Sequence, residues 1–253
     1  MSKILITGGA GFIGSHLADL LVMNGHRVVI LDDLSTGRMS NIEHLIERSA
    51  IEFVQGSILD SDVVDDVVAG CDTVFHLAAA VGVHLIVNHP LQSLTTNIRG
   101  SEIVFEKALK YRSRVLVAST SEIYGKNTSD RLKEYGIESV IVRLFNTVGP
   151  RQTGSYGMVI PRFVGQALRN EPITVYGSGE QTRCFCYVGD IVQGMVDLCA
   201  APDSYGQVFN LGGDLEVSMV ELAHRIVSAT GSSSSISFIP YDIAYEEGFE
   251  AMK

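Results

Sequence analysis

The feature that most constrains the fold lies at the start of the chain: Lys3-Ile-Leu-Ile-Thr-Gly-Gly-Ala-Gly-Phe-Ile-Gly-Ser-His-Leu. Ile4–Ile6 is an apolar run with the character of a strand buried on both faces. Glycines follow at Gly8, Gly11 and Gly14, and an amphipathic segment then runs to about Asn24. Strand, glycine turn and helix in that order make a phosphate cradle. Glycine lets the backbone turn tightly and approach a pyrophosphate, while the helix N-terminus offers free N–H groups and partial positive charge. A second apolar strand, Arg27–Leu31, ends in Asp32-Asp33. A carboxylate there can accept from adenosine ribose hydroxyls and would repel a 2′-phosphate, which favours NAD over NADP. Gly8, Gly11, Phe12, Ile13, Gly14, Asp32 and Asp33 are therefore the candidate cofactor-binding residues. A nucleotide-free α/β domain with ordinary glycine turns is the other reading of this stretch.

The rest of the first half repeats the alternation. Helix is expected over Asn41–Arg48, strand over Ile51–Gln55, helix over Asp60–Ala69 and strand over Thr73–Leu77. A long helix opens at Pro90, where proline suits a first turn, and runs to Tyr111. Strands over Val115–Ser119 and Ser139–Leu144 complete the series. Strands alternating with helices predict an α/β fold with a doubly wound parallel sheet, whose ligands bind at the carboxyl ends of the strands. From Asn146 the texture changes to glycine, proline and aromatic loops. Helix is expected over Pro161–Asn170 and strands over Ile173–Tyr176 and Arg183–Val188. Two regions follow: a dinucleotide-binding domain over 1–145 and a smaller mixed α/β substrate region over 146–253, with some of its elements packing back on the first.

Composition excludes some partners. A net charge of −10 on 253 residues argues against nucleic acid and anionic membrane surfaces. The most apolar run, Val74–Val87, is too short for a membrane span and carries His76 and His84. With the chain in sheet by Lys3, no signal peptide is expected. Cys71, Cys184, Cys186 and Cys199 lack C-x-x-C spacing, so reduced thiols in a cytoplasmic protein are expected, and no metal site.

The spacing G-x-x-G-x-x-G after Thr7 resembles the extended short-chain dehydrogenase/reductase family, which contains nucleotide-sugar epimerases, dehydratases and decarboxylases. The resemblance implies a Rossmann-type sheet, bound NAD, and a UDP-sugar substrate that passes through a 4-keto form. It also supplies further candidates. Phe75-His-Leu-Ala-Ala would place Leu77, Ala78 and Ala79 against the cofactor. Asn97 matches a position serving cofactor and structure, and Gly56-Ser57-Ile58 matches a Gly-Asp-Ile that touches adenine, with serine here replacing the aspartate. Ser119-Thr-Ser-Glu closes the fifth strand. Ser119 would face the cofactor, Thr120 would hydrogen-bond the sugar oxygen at the carbon oxidised, and Ser121 and Glu122 complete the candidate catalytic set. Thr-Ser-Glu resembles the decarboxylases and 4,6-dehydratases of the family. Asn146, Arg151, Tyr176 and Arg183 match substrate positions, with Asn146 and Arg183 expected on the diphosphate, where the planar guanidinium can grip two oxygens. A homodimer is expected.

One family element is missing. Relatives place a Tyr-x-x-x-Lys pair one helix after the Thr-bearing strand, the lysine lowering a tyrosine pKa of about 10 so that the phenolate can take a proton. No tyrosine here has a lysine four residues later. Between Ser119 and Ser139 only Arg131–Gly136 looks helical, about 9 Å of helix beside strands of about 17–20 Å. A segment omitted between Asp130 and Arg131 is expected to hold the pair, with a Cα separation there well beyond the bonded value. Three functions stay open: a UDP-glucuronate decarboxylase first; a UDP-glucose or UDP-glucuronate 4-epimerase, to which Gly157-Met-Val-Ile-Pro161 is similar; and an inactive protein that binds NAD and a nucleotide-sugar. Tyr245-Glu-Glu-Gly-Phe is similar to the tail region of decarboxylases.

Overall fold

The computed structural model describes residues 1–80, 90–120, 136–153 and 158–240, with backbone only for Pro90 and Thr120. Glu122, Ser121, the Asp130–Arg131 junction, His84, Gly157 and the Tyr245–Phe249 stretch lie outside the described residues. The chain divides into two compact units, Met1–Arg151 with Cys186–Gly212, and Gln152–Phe185 with Gly213–Lys253.

The first unit is built on β1 (Lys3–Thr7), α1 (Phe12–Met23), β2 (Arg27–Asp32), α2 (Glu43–Glu47), β3 (Ile51–Gln55), α3 (Ser61–Val68) and β4 (Thr73–His76). A long helix α4 follows in three runs: Pro90–Thr95, a π-helical Thr96–Gly100, and Ser101–Tyr111. Strands β5 (Arg114–Thr120) and β6 (Ser139–Leu144) come next, then a short β7 (Thr147–Val148). Seven strands form one parallel sheet in the order β11-β6-β5-β4-β1-β2-β3, where β11 is Gln207–Leu211.

Alternation along these strands explains the two covered faces. Ile4, Ile6, Val28 and Ile30 point to one side, where Leu17, Ala18 and Leu21 of α1 bury against them. Val188, Ile191, Val192 and Met195 of a later helix, α6 (Val188–Ala200), cover the same side. Leu5, Val29, Leu31 and Val74 point to the other, under Val64, Val67 and Val68 of α3 and Ile103, Val104 and Ala108 of α4. Strands apolar on both faces cannot sit at a solvated surface, so helices must cover both. Caps mark the helix ends: the Asp60 carboxylate accepts from the amides of Asp62 and Val63 to start α3.

The second unit holds α5 (Val159–Leu168), β8 (Ile173–Tyr176), β9 (Thr182–Cys184), β12 (Glu216–Ser218), α7 (Met219–Thr230) and β13 (Ile236–Ile239). Its own core joins Phe163, Ala167, Ile173, Val175, Leu222, Ala223 and Ile226. The helix expected to open at Pro161 begins at Val159, with Pro161 still inside the first turn, where its missing N–H costs nothing. The single strand expected over Arg183–Val188 is corrected. Thr182–Cys184 pairs antiparallel with β12 in the second unit, Cys186–Tyr187 (β10) pairs with β7 in the first, and Val188 already opens α6. Phe185 separates two strands with different partners.

Candidate functional site

The glycine turn sits at the switch point of the sheet, where β1 has β2 on one side and β4 on the other. Gly8 has φ +73°, and its amide donates to Leu31 O at 2.8 Å. A Cβ there would lie 2.8 Å from Ala78 N, so any larger residue would push the end of β4 away. At Gly14 a Cβ would fall 2.3 Å from Gly8 O. That glycine lets α1 start directly against the turn. No side chain caps α1, no acidic residue lies in its first turn, and the amides of Phe12, Ile13 and Gly14 have no acceptor among the described residues. Free N–H groups at a helix start with no competing carboxylate fit the pyrophosphate of a dinucleotide.

Asp32 closes β2 and is 7% exposed. One carboxylate oxygen accepts from Ala10 N at 2.9 Å and the other from Leu34 N at 2.8 Å. Burial raises its pKa; the two N–H bonds pull the other way and the neighbouring Asp33 adds to the rise. A carboxylate has about four lone-pair positions, so acceptor capacity remains for ribose hydroxyls. Asp33 is exposed and accepts from Ser35 N at 2.9 Å. Two more bonds fasten the following loop to the glycine turn, since Ala10 O accepts from Arg38 N and from the Asn41 amide. The Ser57 hydroxyl accepts from Leu59 N at 3.2 Å, whereas the Ile58 side chain is buried and packs where Gly100 leaves room.

Past β4, Leu77 N donates to Thr7 O at 3.1 Å, Ala78 and Leu77 are half-buried, and Ala79 is exposed. The Asn97 side chain grips Ala80 at both ends, accepting from its N–H at 2.7 Å and donating to its carbonyl at 3.1 Å. Ser119 and Thr120 end β5 in register with Arg143 and Leu144 of β6.

Asn146 follows β6 with φ +20°, and its carbonyl accepts from Cys186 N at 3.2 Å. Arg151 is held on α1: its Nη2 lies 2.8 Å from Asp19 Oδ2, while His44 Nε2 is 2.7 Å from Asp19 Oδ1. His16 Nε2 reaches Pro150 O at 2.9 Å. The structure thus gives the Gly149-Pro-Arg loop an anchor on α1, made by His16 and Asp19, which the sequence reading did not name. In the second unit, the Arg162 guanidinium stacks 4.2 Å from the Tyr176 ring centroid, and the exposed Arg183 donates from Nη1 to Thr182 O at 2.8 Å. Among the described residues, no cluster of three or more His, Cys, Asp or Glu could hold a metal ion, and no helix is long and apolar enough to cross a membrane.

A parallel sheet running 3-2-1-4-5-6, a glycine turn at its switch point and an acidic close to β2 define a dinucleotide-binding α/β protein. Comparison with known proteins narrows the class. Residues 5–135 match the family model described as GDP-mannose 4,6 dehydratase, and residues 128–212 match that of the NAD dependent epimerase/dehydratase family. A UDP-N-acetyl-alpha-D-glucosaminuronate decarboxylase of Bacillus cytotoxicus is 39% identical over 98% of this chain and 86% of its own length. UDP-glucuronic acid decarboxylase 1 of Xenopus tropicalis is 37% identical over 94% of this chain, which spans 62% of that relative. The solved structure of UDP-glucuronic acid 4-epimerase from Bacillus cereus, in complex with UDP-glucuronic acid and NAD, is similar with a TM-score of 0.85. It is 29% identical and is covered to 86%, against 94% of this chain. The chain belongs to the extended short-chain dehydrogenase/reductase family of NAD-dependent nucleotide-sugar epimerases, dehydratases and decarboxylases. The alignment with the Bacillus cytotoxicus protein runs over 284 positions, more than the 253 residues present here, so that relative carries residues inside the matched span that this chain lacks.

Proposed function

We propose that the chain serves an NAD-dependent conversion of a UDP-sugar through a 4-keto intermediate, and that the reaction is decarboxylation of a UDP-linked glucuronate. The observation that carries this reading is the 39% identity to a decarboxylase across 98% of the chain. NAD, when bound, supplies the acceptor for the hydride at sugar C4. The amides of Phe12, Ile13 and Gly14 hold its pyrophosphate, Asp32 and Asp33 its adenosine ribose, and Gly8, Gly11 and the Leu77–Ala79 strand end give it room. Ser57 and Ile58 lie on the adenine side, and Ser119 ends the strand beside the reacting carbon. The Thr120 hydroxyl orients the oxygen at C4. Once C4 is a ketone, the C6 carboxylate is β to a carbonyl. Breaking the C5–C6 bond releases CO2 and leaves the electron pair in an enolate, and Glu122 moves the proton that returns to C5. In the first unit Asn146 keeps the substrate role that the resemblance implies, and Arg151 keeps the loop after β7 in place on α1; in the second unit the same holds for Tyr176 and Arg183, whose guanidinium suits a diphosphate.

Two other readings each rest on one observation. The similarity to a UDP-glucuronic acid 4-epimerase favours re-reduction of C4 on the other face. The absence of any Tyr-x-x-x-Lys favours a protein that binds both ligands without turning them over. Incubation with NAD and UDP-glucuronate, read by CO2 release and by NMR of the sugar, separates the three. CO2 with a pentose product supports the decarboxylase. A galacturonate product supports the epimerase, and tight binding without product supports the third reading.

The assembly proposed is a homodimer through α4. Leu91, Leu94 and Ile98, spaced three and four apart on one helical face, are 79%, 57% and 54% exposed, and such a stripe buries best against its own copy. A cytoplasmic location accords with the free thiols of Cys71, Cys186 and Cys199.

A further inference from the structure

A polar residue inside a strand buried on both faces must find partners, and His76, 3% exposed at the end of β4, has one on each ring nitrogen. Thr7 Oγ1 lies 2.8 Å from Nδ1, and Ser101 Oγ lies 2.9 Å from Nε2. The direction of each bond follows from the far end. Ser101 Oγ is 2.6 Å from the Asn97 carbonyl, which can only accept, so the single serine proton is used there. Nε2 must then carry the ring proton and donate to Ser101. The neutral ring leaves Nδ1 bare, so Thr7 donates to it, and the Thr7 oxygen is free to accept from Ala78 N at 3.3 Å. Asn97 closes the circuit with its two bonds to Ala80. The back-bond from Ser101 to Asn97 sits where α4 changes from π to α geometry, a place where such bonds bend helices and side chains are re-aimed.

We infer that Thr7, His76, Ser101 and Asn97 form one directional hydrogen-bond relay that sets the strand end Ala78–Ala80 against the glycine turn, making His76 and Ser101 positioning residues for NAD binding. The inference rests on the cofactor reading above. Its mechanism is local. Without the Ser101 hydroxyl, the Nε2 proton has no acceptor and the ring can shift to the Nδ1–H tautomer. That proton then competes with Ala78 N–H for the Thr7 oxygen, and the wall beside Gly8 loosens.

Two measurements test it. Long-range 15N–1H spectra of the ring should show the neutral Nε2–H tautomer at neutral pH in the wild-type protein. Calorimetric titration should find NAD bound about tenfold more weakly by Ser101→Ala and within about twofold of wild type by Ser101→Thr, which restores the hydroxyl. An Nδ1–H tautomer would overturn the relay, and so would a folded Ser101→Ala that binds NAD like wild type. If Ser101→Ala does not fold, the wild-type ring spectrum decides alone. A wild-type protein that shows the Nε2–H tautomer yet never binds NAD would keep the relay's direction and refute its cofactor role together with the cofactor reading.

Discussion

His76 is uncharged for a reason that stability can report. Burial alone lowers its pKa from 6.5 to about 4. In the unfolded chain the imidazole takes its proton near 6.5, while the folded protein refuses it until about 4. Its contribution to stability is therefore complete above the higher value and is lost as pH falls through the window, in total about 3 kcal/mol. Asp32 works with the opposite sign, since burial raises its carboxyl and its contribution fades as pH rises through the raised value. Urea midpoints measured from neutral pH down to about 4.5 should fall in wild type and fall less in His76→Gln; parallel curves would count against a buried neutral ring. Asp32 also bears on cofactor choice. NAD should bind at least about tenfold more tightly than NADP, because a 2′-phosphate beside a buried carboxylate is repelled, and equal affinities in paired titrations would contradict it. Arg183→Ala should weaken UDP-glucuronate and leave NAD affinity unchanged. Because Arg183 is exposed, a loss of about tenfold is expected rather than the larger penalty of a buried charge. Equal losses for both ligands would assign it to the fold. The sequence made Asp32 legible because strand, turn and acid stand in fixed order. It did not reveal the acid's bond to Ala10 or the Thr7–His76 contact, because partners 22 and 69 residues apart meet only once strands are paired.

Elements were legible where one period held throughout. Ser139–Leu144 and Ile173–Tyr176 fall where their apolar runs end. The run Arg183–Val188 misled because its two halves are equally strand-like and differ only in the distant strands that claim them. Likewise, nothing local distinguishes Thr96–Gly100 from the helix around it; its π geometry accompanies side-chain bonds to Ala80 and to the helix's own carbonyl. The junction of β1 and α1 gives the sharpest test at this scale. Gly14→Ala forces a methyl to within contact of Gly8 O and Gly9 Cα, so α1 must move off the turn. A loss of about 1–3 kcal/mol is expected, with NAD affinity falling alongside it. A Gly14→Ala protein as stable as wild type by urea unfolding would mean that the helix is not seated as described.

For the whole molecule, the sequence reading caught a doubly wound sheet and a second, mixed region. It expected some elements after Asn146 to pack back on the first domain but did not say which; β11 and α6 are in the first unit, and their partners lie far back in the chain. The dimer proposed through α4 is testable at this scale: Leu94→Arg, on the exposed face, should convert a dimer to a monomer in sedimentation velocity without moving the thermal midpoint of the first unit's fold. A wild-type monomer would end that proposal. The chain leaves the first unit after Arg151, returns at Cys186 and leaves again after Gly212. During synthesis, then, β6 emerges from the ribosome long before the strand that pairs its outer side. Until Gln207–Leu211 follows, one edge of the nascent sheet stands open, with Val140 and Val142 waiting for the cover that α6 later gives. The order of translation makes the nucleotide-binding unit the first to begin folding but keeps it from closing until the Gln152–Phe185 part of the second has been made.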